Sequence, residues 1–129
     1  MFTLEQIGRA HANVKSGADF PSYIREIKAL GIDHYITYVK DGHTDFESNE
    51  GHTQTSPAGY AAVTINPVPD IPQFRMNLLE HQQGRTSYLQ FCELAASNGV
   101  ANWKVDLQQM TCTYMDAGGK EMLVEQIPA

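Results

Sequence analysis

The sequence predicts an α+β fold: a single two-layer domain in which one antiparallel sheet carries helices on one face. Three observations lead there. Apolar residues recur with helical spacing through residues 2–30, then alternate with period two through residues 34–47. The same succession begins again at residue 70. The length, 129 residues, suits one domain, and 42% hydrophobic with 19% charged residues is an ordinary globular mixture. The expected plan is an internal duplication of a helix–helix–meander unit, with pseudo-repeats of about 2–66 and 70–129 inside one domain spanning 1–129.

The first helix opens at Thr3, which has capping-box spacing to Gln6, while Phe2 and Ile7 stand at hydrophobic-staple spacing. Its stripe is Leu4, Ile7 and Val14, with His11 on the same face, and Gly17 is its expected stop. A second helix starts near Asp19-Phe20-Pro21, because proline in the first turn sacrifices no needed backbone donor. Phe20, Tyr23, Ile24, Ile27 and Leu30 form its stripe, and Gly31 ends it. Residues 34–40 are aromatic and β-branched and read as a strand. Asp41-Gly42 signals a type I′ hairpin turn, with 43–47 as the return strand. Glu47 to Gly59 is a polar loop, and Tyr60 to Ile65 recovers strand character. Pro67-Val68-Pro69 is the hinge to the second half.

There Asp70 caps a helix with Pro72 in its first turn, and Gly84 ends it. Thr86 is the expected cap of the next, with Tyr88, Leu89, Phe91, Cys92, Ala95 and Ala96 inward and Asn98-Gly99 at its end. Residues 102–107 and 110–115 form a hairpin around Gln108-Gln109, and a turn at 116–119 leads to a final strand near 121–126. Matching the halves sets Tyr23 beside Tyr88, Gly31 beside Gly99, Tyr35 beside Trp103, Phe46 beside Tyr114 and Gly51 beside Gly119.

Side-chain alternation then assigns faces. In the second half Trp103, Val105, Leu107, Met110, Cys112 and Tyr114 lie under the helices, leaving Lys104, Asp106, Thr111 and Thr113 outside. In the first half, Tyr35, Thr37, Val39, Thr44 and Phe46 are covered. His34, Ile36, Tyr38, His43 and Asp45 are then open, and a two-residue turn sets Tyr38 directly across from Asp45.

That open face holds the candidate site. Tyr38, His43 and Asp45 are the catalytic candidates: imidazole titrates near neutrality, a carboxylate can orient it, and a phenol can donate to a developing oxyanion. As a binding surface the same face offers His34, Ile36, Tyr38 and His43, with His52 arriving on the 47–59 loop. Reading His34, His43 and His52 as metal ligands fails on spacing, since nine-residue intervals match no known ligand pattern; no metal and no cofactor is expected. His11 and His81 read as half-buried histidines satisfied by backbone carbonyls, and Cys92 and Cys112 as small core residues in a reducing cytosol. Phe74, Phe91, Trp103 and Tyr114 read as core.

Other classes are excluded. Nine Lys and Arg against fifteen Asp and Glu give a net charge of −6, with no basic run, which argues against nucleic acid and anionic membrane surfaces. No apolar stretch approaches membrane-spanning length, and the first residues do not read as a secretory leader, so a cytoplasmic protein is expected. There is no Gly-x-Gly-x-x-Gly, no Walker lysine motif and no Gly-x-Ser-x-Gly.

Four segments carry a family resemblance: Gly17-Ala18-Asp19-Phe20-Pro21, the hairpin from His34 to Thr44, Met110-Thr111-Cys112-Thr113-Tyr114, and Val124-Glu125-Gln126-Ile127-Pro128. Over nearly the whole chain the sequence resembles the YbcV/YdfO-like family of bacterial and prophage proteins. The resemblance implies a compact α+β domain of unknown function, sometimes labelled a phage envelope protein, with no established catalytic residues to transfer. The functional expectation is a small binding or protein-interaction module using the open face and the 47–59 loop. Its partner would be itself, as a symmetric homodimer, or another protein, or a small molecule. The alternative is a small hydrolase or proton-transfer enzyme in which His43 is the base, Asp45 orients it and Tyr38 donates.

Overall fold

Ten elements follow one another along the chain in a computed structural model that describes residues 2–14 and 19–127. They are α1 (Leu4–His11), α2 (Phe20–Ala29), β1 (Ile32–Tyr38), β2 (Thr44–Ser48), β3 (Thr53–Thr55), α3 (Ile71–Gln82), α4 (Tyr88–Ser97), β4 (Val100–Asp106), β5 (Thr111–Asp116) and β6 (Glu121–Gln126). The six strands form one antiparallel sheet in the order β3-β2-β1-β4-β5-β6. The first strands of the two halves therefore meet at the centre, and each meander runs outward. Apolar side chains of the helices and of one sheet face make a single core.

Local chemistry starts the helices where the sequence places them. Thr3 and Gln6 close a reciprocal capping box on α1, and Phe2 is buried. Asp70 accepts from the Gln73 amide at the start of α3. For α4 the cap is Ser87 rather than Thr86: Ser87 has extended backbone angles and pairs reciprocally with Gln90, while Thr86 partners His81. Helix α1 ends at His11, capped by Ala12; the expected stop, Gly17, lies outside the described residues. His11 is exposed rather than half-buried, its ring edge-on to Tyr23 at 5.4 Å. On α4 the stripe Phe91, Cys92, Ala95 and Ala96 is buried, but Tyr88 and Leu89 are about half exposed. They stand on the first turn, where Tyr88 lies edge-on to the Trp103 indole and beside the Cys92 thiol, and Leu89 lies at the margin of the stripe.

In the second half the register is the expected one: Trp103 pairs Tyr114 and Val105 pairs Cys112. In the first half the faces are as expected but the partners differ. Tyr35 pairs Phe46, Ile36 pairs Asp45 and Thr37 pairs Thr44, so Asp45 lies across from Ile36 and not from Tyr38. The Tyr38 amide instead bonds the His43 carbonyl at 2.9 Å. A type I′ turn needs positive φ at both central residues, and only Gly42 has it, at 77°. The chain therefore closes a four-residue turn, Val39 to Gly42, with the Gly42 amide bonded to the Tyr38 carbonyl. A slip of two residues preserves both faces, which is why alternation alone does not detect it.

The third strand is also displaced. Thr53–Thr55, inside the expected loop, pairs β2, whereas Tyr60 to Ile65 forms no strand. That segment is fastened instead to the β1–β2 turn, with the Gly59 amide on the Asp41 carbonyl and the Val63 amide on the Lys40 carbonyl. The Tyr60 hydroxyl donates to the Val39 carbonyl at 2.5 Å. Further on, Asn66 and Asp70 bond the carbonyls of Ala96 and Asn98, so the expected hinge is tied down at both ends. Two glycines permit this route. A Cβ on Gly42 would lie 2.6 Å from the Tyr60 ring, and one on Gly99 would lie 2.6 Å from Pro69 Cα.

Buried polar groups are matched. The Thr37 and Thr44 hydroxyls face each other at 2.9 Å, and Asn98 donates to Asn77 at 2.8 Å. Among the described residues no buried side-chain polar atom lacks a partner.

Candidate functional site

With the helices on one side, the other side of the sheet is uncovered. The strand register orders its side chains in rows running across the strands. One row is Thr55, Asp45, Ile36, Lys104, Thr113 and Val124. The next is Thr53, Glu47, His34, Asp106, Thr111 and Gln126. Tyr38 lies beyond Ile36 along β1, between His43 and Asn102.

The rings of Tyr38 and His43 stack, with centroids 4.4 Å apart and planes within 10°. His43 Nδ1 stands 2.5 Å from Asp41 Oδ1, which also accepts from the His43 amide at 3.1 Å. Those hydrogen bonds from His43 hold the Asp41 carboxyl below its ordinary range. The carboxylate that orients His43 is thus Asp41, not Asp45. An Asp-x-His spacing at a turn is the sequence signal for this, since an Asp side chain reaches the amide two residues on. Asp45 accepts from the Thr55 hydroxyl at 2.7 Å. The Tyr38 hydroxyl is held above its ordinary value, first by partial burial and then by the Asp45 carboxylate beside it.

His34 makes a second arrangement on the same face. Its Nδ1 is 2.8 Å from Asp33 and its Nε2 is 2.9 Å from Glu47, while β4 sets Asp106 across from it. His52 is elsewhere: its ring meets Phe2 edge-on at 5.0 Å, and Nε2 reaches the Phe2 carbonyl at 3.3 Å. It belongs to the end of the sheet near α1 and does not join His34 or His43. Each of the three histidines has its own separate partners, and among the described residues no three His, Cys, Asp or Glu side chains are grouped to hold a metal ion.

The remaining candidates read as structural. His81 stacks on Phe91 at 4.4 Å and reaches the Thr86 carbonyl and hydroxyl at 3.2 and 2.9 Å; burial lowers its pKa. Cys92 and Cys112 are buried free thiols, the second pushed up to about 12 by burial, which suppresses the nucleophilic thiolate. Two clefts, of about 50 and 150 Å³, are lined by Ala10, Tyr23 and Glu26 among others, and by Phe2, Leu30, Ser48 and Glu50 among others. Neither is bordered by Tyr38, His43 or Asp45. Hydrophobic periodicity also fails to anticipate Met76 and Leu79, which stand exposed on α3. No helix among the described residues is long and apolar enough to cross a membrane.

A family model described as a protein of unknown function, DUF1398, matches residues 8–126. No curated protein matches the chain.

Proposed function

The chain belongs to the DUF1398 family, whose function is unknown, and from that premise we propose that this domain is a small protein-interaction module working through the open face of β1 and β2. Its partner is a protein, another chain or a second copy in a symmetric homodimer, met in the cytoplasm. The likeness to YbcV/YdfO-like proteins, carried by the His34–Thr44 hairpin and the Met110–Tyr114 segment, extends this reading to bacterial and prophage settings.

One observation supports it most. Ile36 and the Tyr38/His43 stack lie half-buried on a sheet face that no helix covers, so part of their apolar and aromatic surface stays in water unless something docks there. The test is site-specific photo-cross-linking in a bacterial host from position 36, with position 113 on the same face of the second half as control. Discrete adducts from 36 alone, lost on Tyr38→Ala, are the expected result; equal labelling from both positions, or none, overturns the proposal.

The Asp41–His43 bond supports a second reading, in which His43 acts as a general base on a small molecule. It predicts a chemical step abolished by His43→Ala and reduced by Asp41→Asn. The contact reading predicts that Asp41→Asn leaves the cross-links in place.

A further inference from the structure

Resting on the contact role proposed above, we infer that the partner of this face is a protein segment bearing arginine or lysine in extended form, and not a second copy of this chain. Charge gives the first argument. Among the described residues Lys104 is the one lysine or arginine carried by the six strands, while Asp45, Glu47 and Asp106 share its face. Two copies meeting face to face would bring these carboxylates against their own kind, on chains that each carry −6. A cationic segment meets complementary charge instead.

Geometry gives the second argument. The carboxylates are held before any partner arrives: Glu47 by His34 at 2.9 Å, Asp45 by Thr55 at 2.7 Å, and Asp106 by the amides of Gln108 and Gln109, both at 2.9 Å. Side chains already ordered lose less entropy on binding. Asp45 and Glu47 are alternate residues of β2, so their Cα atoms stand about 7 Å apart, the repeat of alternate side chains in an extended segment. Ile36 and the stacked rings lie beside them, offering apolar surface for methylene stems, with the Tyr38 ring as a partner that attracts cations. Carboxylates without that apolar strip would attract any cation; with it, the face selects a long side chain that carries its charge at the tip.

The experiment titrates the full chain with three synthetic ten-residue peptides, identical except that alternate positions are Arg, Gln or Glu, and follows backbone amide shifts. Saturable binding of the Arg peptide alone is expected, with shifts on β1, β2 and β4. Asp45→Asn with Glu47→Gln, and separately Tyr38→Ala, should each weaken it about tenfold or more, with the amide spectrum reporting that each variant is folded. Equal binding of the Gln peptide overturns the charge selection and leaves the contact role standing. Unsaturable binding, or binding indifferent to Tyr38→Ala, is attraction without a site and also overturns the inference. So does the absence of peptide binding; sedimentation showing self-association lost in Tyr38→Ala would then identify a second copy as the occupant. The contact role itself is judged by the cross-links from position 36.

Discussion

In both halves the first strand of the meander buries its first, fourth and sixth residues, Ile32, Tyr35 and Thr37 in β1 and Val100, Trp103 and Val105 in β4. Both strands bulge at the next position, between Ile32 and His34 and between Val100 and Asn102. The turns after β2 and β5 match as well: Ser48 Oγ accepts from the Glu50 and His52 amides, and Asp116 Oδ1 accepts from those of Gly118 and Lys120. On the uncovered side the likeness stops. Beside the buried residues β1 carries His34, Ile36 and Tyr38, where β4 carries Asn102, Lys104 and Asp106. Packing against helices demands similar shapes from the covered side of each half, and nothing in the fold makes that demand of the open side. The difference there is where a function can reside.

The largest effect that would break the comparison concerns the covered side. Trp103→Ala and Tyr35→Ala remove matched rings from one core, and each should cost about 3–5 kcal/mol in urea unfolding. A cost under about 1 kcal/mol in either half would show that the halves are not packed alike. Next come the glycines that end α2 and α4. Gly31 and Gly99 share positive φ, 93° and 85°, but a Cβ at 31 meets open space while one at 99 runs into Pro69. Gly31→Ala should cost about 1–2 kcal/mol from the left-handed backbone alone. Gly99→Ala adds overpacking and should reach about 2–4 kcal/mol. Equal costs would mean that the Asn66–Asp70 link moves aside freely.

Acid sharpens the comparison further. Burial lowers the pKa of His81 below its ordinary 6.5, so the unfolded chain binds this proton more readily than the folded one. Stability from this group is therefore full above pH 6.5 and is lost as pH falls from there through the lower folded value. Thermal unfolding should show a stability loss between pH 7 and pH 5 that is smaller in His81→Gln; an unchanged pH dependence in that variant would remove His81 as its source. The smallest effect is on the open face, where Tyr38→Ala and Asn102→Ala should each change stability by about 1 kcal/mol or less. A larger loss for Tyr38 would make its stack with His43 a structural element and weaken its claim as a contact.

Much of this architecture is legible in the chain, and the exceptions share a cause. Thr3, Asp70 and the proline-started helices announce themselves because caps are local chemistry. The open and covered faces are legible because alternation has period two. The candidate group of Tyr38, His43 and Asp45 is legible in part: the three share a face, but the orienting partner of His43 is Asp41, since the turn is longer than an Asp-Gly pair implies. The third strand is hidden because Thr53-Gln54-Thr55 has no apolar residue, and as an edge strand it needs none.

The sequence by itself determined where helices form, which side of each strand seeks the core, and an acidic composition, net charge −6, with no run of basic residues. Those are properties of neighbours along the chain and of summed composition. Only the tertiary structure decided that β1 and β4 meet at the centre, that Tyr38 stacks on His43, and that His34 is set among Asp33, Glu47 and Asp106. Each depends on a strand register, within the β1–β2 hairpin or between β1 and β4, where slips of two residues leave the hydrophobic pattern unchanged and only packing and backbone hydrogen bonds distinguish one pairing from another.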